Sequence, residues 1–106
     1  MRRSGTINVV NVSGRELTGL NAFSLVSSLS EAKDRGARAV AVNLGVVTYI
    51  TEPGVDALIQ GEKIFGADNF VVFNLQGTPR QFVEEHAPGR FRIYDSKGAA
   101  VAALRR

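Results

Sequence analysis

The chain has one imidazole, at His86, and no cysteine. Nucleophilic catalysis needs a nucleophile, a base within hydrogen-bond reach and a third group that orients the base. His86 falls at the end of a short helical pattern just before Pro88, where it complements the helix dipole, so it reads as structural or solvent-exposed. Glu84 and Glu85 are neighbours on the same helix and point in different directions, which argues against a carboxylate pair for acid–base work. A lone His with scattered carboxylates makes no metal site. The glycines from Gly14 to Gly66 are dispersed and match neither the Walker nor the dinucleotide spacing. The expectation is a protein that is not an enzyme, with no cofactor and no metal. The remaining polar chemistry gathers in one stretch: Thr48, Tyr49, Thr51 and Glu52 precede Pro53-Gly54, and Asp56, Gln60 and Lys63 follow. Whatever docks there meets hydroxyls and a carboxylate. Tyr49 reads either as a core residue with a polar tip or as a contact residue.

Positioning that stretch requires a strand before it and a helix after it. Ala39 to Val47 is nearly all apolar, interrupted only by Asn43 and Gly45, which fits a strand over Ala37 to Leu44 covered on both faces in the middle of a parallel sheet. From Val55 the apolar residues Val55, Leu58, Ile59 and Phe65 lie at helical spacing, while Asp56, Gln60 and Lys63 share the opposite arc. The helix therefore runs from about Pro53 to Phe65 and is closed by Gly66. Pro53 suits the first helical turn, and Gly54 lets another backbone come close to it.

The other elements follow the same logic. Thr6 to Val12 is rich in β-branched residues and stops at Ser13-Gly14, which reads as a first strand. A helix capped by Asn21 buries Ala22, Leu25, Val26, Leu29 and Ala32 and ends at Gly36. Its serines Ser24, Ser27, Ser28 and Ser30 form an uncharged polar side, suited to a partner or to plain solvent. Asn69 to Leu75 contains the continuous apolar run Phe70 to Phe73 and reads as an interior strand. Thr78-Pro79-Arg80-Gln81 has the form of a capping box for a helix ending by Ala87-Pro88-Gly89. Phe91 to Tyr94 is a brief edge strand, and Asp95 caps a last, alanine-rich helix through Leu104. Strands alternating with helices imply right-handed crossovers and an α/β fold: one mostly parallel sheet of about four to five strands with about four helices. Ligands of open α/β sheets sit at the carboxyl ends of the strands, which is where the loop from Val46 to Gly54 falls.

A length of 106 residues fits one small domain, taken here as residues 1–106. The formal charge of +3 comes from thirteen Lys and Arg against ten Asp and Glu. Four of the thirteen are Arg2, Arg3, Arg105 and Arg106 at the chain ends, and the body is left with nine basic against ten acidic residues. Nucleic-acid binding, which needs clustered cations on a folded face, is not expected. The absence of cysteine is compatible with a reducing cytoplasm. Met-Arg-Arg-Ser-Gly-Thr is followed by no apolar stretch of signal-peptide length, so secretion is not expected. No apolar run approaches the roughly 20 residues that span a bilayer, so direct membrane insertion is not expected.

Asn43-Leu-Gly-Val-Val-Thr-Tyr-Ile-Thr-Glu-Pro-Gly-Val-Asp-Ala-Leu58 resembles, without a gap, the signature of the STAS domain, the fold of bacterial anti-sigma factor antagonists. That signature is usually written Asp-Leu-Ser-Gly-Val-Thr-Phe-Ile-Asp-Ser-Ser-Gly-Leu-Gly-Ala-Leu. Val12-Ser13-Gly14 with Glu16-Leu17 resembles the family's Ser-Gly-Glu-Leu-Asp corner, and Phe91 to Ser96 before an alanine-rich helix resembles its C-terminal end. The family usually has one more short strand ahead of the first, which the five residues before Thr6 leave missing or vestigial. The resemblance implies a single STAS-like domain that regulates transcription in bacteria by binding an anti-sigma factor or related kinase in the cytoplasm. Binding would use Thr48, Tyr49, Thr51, Glu52, Pro53 and Gly54 with Asp56, Gln60 and Lys63 on the following helix. It also implies alternatives: a scaffold subunit of a STAS signalling complex, which makes a homo-oligomer, or an accessory subunit of a lipid-type transporter. Small-ligand or nucleotide binding, known in the family, has no motif here.

The family's phosphate acceptor is commonly the first Ser of Asp-Ser-Ser-Gly, and that position is Glu52. Glu52 has no hydroxyl. Its fixed carboxylate supplies about half of the roughly −1.5 to −2 charge of a phosphoserine, so it either stands as a permanent partial mimic or only complements the helix dipole. Thr48 and Thr51 retain hydroxyls as relocated acceptors.

Overall fold

The computed structural model describes residues 6–105. The expectation of a missing strand ahead of Thr6 lies outside them. The chain runs β1 (Thr6–Asn11), β2 (Glu16–Leu17), α1 (Gly19–Asp34), β3 (Ala37–Asn43), β4 (Tyr49–Ile50), α2 (Glu52–Phe65), a 3-10 turn (Ala67–Asn69), β5 (Phe70–Phe73), α3 (Gly77–His86), β6 (Arg92–Tyr94) and α4 (Lys97–Leu104). Four strands form one sheet in the order β1-β3-β5-β6, and every pairing is parallel. The strand at Ala37–Asn43 is interior, paired on both sides, as the apolar run Ala39 to Val42 requires. β2 and β4, two residues each, pair in a separate small parallel ribbon that the sequence pattern did not suggest.

Alternation along β3 and β5 divides the core. Val40, Val42, Phe70 and Val72 face the side covered by α1, α2 and α3, where Leu25, Leu29, Leu58, Phe65 and Val83 pack against them. Ala39, Ala41, Val71 and Phe73 face the other side, covered by Ala100 and Leu104 of α4. The alanines on both partners let that short helix lie close, and the Arg38 guanidinium donates to the Leu104 carbonyl at 3.0 Å, tying its end to β3. α1 and α2 pack along each other. At their contact a Cβ on Gly61 would lie 2.6 Å from Leu29 Cδ1 and 2.8 Å from Phe70 Cε1, so the absence of a side chain there sets the approach.

Three helix starts differ from expectation. Asn21 does not cap α1: Thr18 does, its hydroxyl accepting from the Leu20 amide at 3.2 Å, while the Asn21 side-chain oxygen accepts from the Thr18 amide at 2.8 Å. The helix thereby gains Gly19 and Leu20 ahead of Asn21. The expected Thr78 capping box is absent, because Gly77 turns the chain at φ +68 and α3 begins there, after Gln76, with no side-chain cap. Ser96 rather than Asp95 caps α4, accepting from the Ala99 amide at 3.1 Å, while Asp95 lies 3.9 Å from the Arg80 guanidinium. For α1 and α4 nearby residues of capping type competed, and the path of the incoming chain chose between them. Val26, expected in the buried stripe of α1, is half-buried. No helix among the described residues is long and apolar enough to cross a membrane.

Candidate functional site

The carboxyl end of the sheet begins with a row of amides. Asn43 Nδ2 donates to Asn11 Oδ1 at 2.9 Å, and Asn43 Oδ1 accepts from the Gly45 amide at 2.9 Å and from Asn74 Nδ2 at 3.3 Å. These bonds join the ends of three parallel strands and set the direction in which the chain leaves β3. The Val47 amide then donates to the Leu44 carbonyl at 3.1 Å, closing a turn.

The loop is next strapped to β2 and to Arg15 just before it. The Thr48 amide donates to the Arg15 carbonyl at 2.7 Å, the Thr48 hydroxyl to the same oxygen at 3.3 Å, and the Thr51 amide to the Leu17 carbonyl at 3.1 Å. The Thr51 hydroxyl also reaches Leu17 O, at 3.5 Å. Gly54 completes the strap: a Cβ there would run into the Leu17 carbonyl oxygen and lie 3.0 Å from Leu17 Cγ and Ile50 Cγ1. The backbone that Gly54 admits is therefore the chain's own. Gly54 is buried and Thr51 half-buried, so of the expected contact residues these two build the loop rather than face outward.

Thr48, Tyr49, Glu52, Pro53, Asp56, Gln60 and Lys63 are exposed. Tyr49 is not a core residue. It is 55% exposed, because in β4 it alternates with Ile50, which takes the inward place at 3%. Glu52, Asp56, Gln60 and Lys63 follow one another at intervals of three and four residues and form a single stripe down α2. None of them takes part in an ion pair among the described residues, where the pairs are Arg80–Glu84, Arg80–Asp95 and Arg90–Glu62.

Two further exposed groups escaped the sequence reading. Leu20 is 96% and Phe23 78% exposed in the first turns of α1. They adjoin the same surface, since a Cβ on Gly19 would lie 3.8 Å from the Pro53 ring. With the helix start placed at Asn21, Leu20 fell outside it and Phe23 off its buried stripe. A cleft of ≈ 290 Å³ opens on the other flank, between the start of α2 and the start of α3, walled by Tyr49, Ile50, Glu52, Pro79 and Phe82.

The described residues contain no group of three or more His, Asp or Glu placed to hold a metal ion. His86 is exposed, with its ring stacked on Phe82 at 3.9 Å and Nδ1 3.2 Å from the Phe82 carbonyl, and Glu84 pairs with Arg80 at 3.5 Å.

No family model and no curated protein sequence matches the chain. Solved structures do match. A protein from Thermotoga maritima assigned as an anti-sigma factor antagonist superposes with a TM-score of 0.77 at 18% identity, over 92% of this chain and 88% of that one. The chain has the STAS fold. The Bacillus cell fate determinant SpoIIAA, in its phosphorylated form, shares that fold with a TM-score of 0.68 at 16% identity, over 99% of this chain and 96% of that one. The murine anion transporter of solute carrier family 26, member A9, contains it too: TM-score 0.77, 11% identity, 98% of this chain but 18% of the transporter. At these identities the likeness is one of fold. The small α/β architecture, with a four-stranded parallel sheet and four helices among the described residues, agrees with the resemblance drawn from the stretch Asn43 to Leu58.

Proposed function

We propose that this chain is a regulatory binding domain of the anti-sigma factor antagonist kind, and that its partner is an anti-sigma factor or a related kinase. The observation that carries the reading is the exposed surface at the carboxyl end of a STAS fold. There Thr48, Tyr49, Glu52 and Pro53 lie on a loop fixed by hydrogen bonds to Arg15 and Leu17, with Asp56, Gln60 and Lys63 continuing along α2. Preorganisation of this sort lowers the entropy lost on binding. Leu20 and Phe23 add the apolar anchors that such an interface needs, since truncating a central aromatic residue typically weakens binding by about 2 kcal/mol or more. The protein acts by binding, not by catalysis, as one domain in the bacterial cytoplasm, where it regulates transcription. Phosphorylation in the family manner does not fall on residue 52, which is Glu. Thr48, whose side chain is exposed, is the more accessible of the two neighbouring hydroxyls.

Affinity capture from the native host, followed by mass spectrometry, tests the reading. Recovery of a kinase-type anti-sigma factor, lost on Phe23→Ala, is the expected result. The match to an anion transporter at the same TM-score of 0.77 favours a second reading, an accessory role beside a permease. Recovery of permease subunits in place of a kinase would establish it.

A further inference from the structure

We propose that the cleft between β4, the first turn of α2 and the first turn of α3 receives a cationic side chain of the partner, an arginine above all, with Glu52 as its counter-charge. The inference rests on the partner-binding reading and gives that partner its chemistry at this place. At ≈ 290 Å³ the cleft is at the lower end of ligand-site volumes, the size for one side chain rather than a cofactor. Its walls are Tyr49, Ile50, Pro79 and Phe82 with Thr51 and Thr78, and Glu52 is the single charged residue lining it among the described residues. The Phe82 ring is stacked on the His86 ring, with the centroids 3.9 Å apart.

An isolated carboxylate among mostly apolar and aromatic walls selects a group that is cationic at its tip and apolar along its stem. Arginine fits better than lysine, because its planar guanidinium both pairs bidentately with a carboxylate and stacks on rings. No internal cation competes, since the ion pairs among the described residues leave Glu52 out. The rival occupant is an anion drawn to two helix N-termini. Each of those termini carries a proline, Pro53 or Pro79, which removes an N–H donor from the first turn. Glu52 repels an anion as well. The helix-end charge is partial and spread over the remaining amides, whereas the carboxylate charge sits on two oxygens that a guanidinium meets at contact.

The test is an NMR titration of the isotope-labelled chain with N-acetyl-arginine amide, N-acetyl-lysine amide and the neutral isostere N-acetyl-citrulline amide. Arginine amide should produce saturable shifts confined to Tyr49, Glu52, Thr78 and Phe82. The apparent Kd should weaken at least ten-fold for the citrulline compound and for the Glu52→Gln protein, and several-fold for lysine and for Tyr49→Leu. Equal binding of arginine and citrulline, unchanged arginine binding by Glu52→Gln, shifts centred elsewhere or no saturable shift would each overturn the proposal. No partner is needed for the titration. A negative result therefore removes the cationic anchor, and the partner-binding reading stands or falls separately on capture from the host.

Discussion

Glu52 and Gly54 occupy one turn of α2 and do opposite things there. Glu52 is exposed and available, and Gly54 is buried against the Leu17 carbonyl. With a captured partner in hand, Glu52→Gln should lower affinity at least ten-fold if the residue receives a cation. A gain in affinity would instead mark the carboxylate as a phosphate mimic, and no change would leave it a helix-dipole complement, so calorimetric titration of the two proteins separates the three. At Gly54 two effects compete. Alanine is the better helix former by about 1 kcal/mol, but its methyl would meet a backbone oxygen that cannot swing away. Overpacking of this kind destabilises by about 1 to 3 kcal/mol, so the collision wins. Gly54→Ala should be less stable in urea and should weaken amide protection at Thr48 and Thr51, whose amides bond to the Arg15 and Leu17 carbonyls. Gly98 is the control. A Cβ there would find nothing nearer than Ser96 Oγ at 4.0 Å, so Gly98→Ala should stabilise the protein by about 0.5 to 1 kcal/mol in the same assay.

At the scale of elements, the unexpected piece is the ribbon of β2 and β4. Two residues on each side are too few to show as a pattern of alternation, yet their bonds decide which side chains of the loop turn outward. Thr18 links that ribbon to α1: it follows Leu17 directly, caps the helix, and is bonded in turn by Asn21, whose Nδ2 donates to the Glu16 carbonyl at 2.6 Å. Thr18→Ala should therefore destabilise the protein by about 1 kcal/mol, the usual loss for an N-cap. Because the same residues hold the loop, this variant should also raise hydrogen exchange at Tyr49 and Thr51. A cap that served α1 alone would leave the loop amides unchanged.

Across the whole molecule, stability resides in a sheet covered on both sides, with Val72 fully buried between Val42 and Ile93 in the register. Val72→Asp places an unpaired charge there. The loss of several kcal/mol is a large part of a total of about 5 to 15 kcal/mol, so the variant should unfold or aggregate. A soluble variant with an unchanged melting temperature would refute this. The sequence by itself determined the interior strand, because Ala37 to Leu44 offers no polar face to solvent, and it determined α2, because its apolar and polar residues separate at helical spacing. It also located the loop, since a strand followed by a helix puts their junction at the carboxyl end of the sheet. Periodicity is a local signal, and each of these rests on residues close together in the chain. The tertiary structure alone decided what depends on distant partners. Arg15 and Leu17 carbonyls, more than thirty positions away, turn Tyr49 out and bury Gly54. The approach of α3 makes a cleft of Tyr49, Glu52 and Phe82 that no spacing announces. Thr18 instead of Asn21 begins α1 because the chain arrives from β2, and only that shift brings Leu20 into the helix, on the surface beside Pro53.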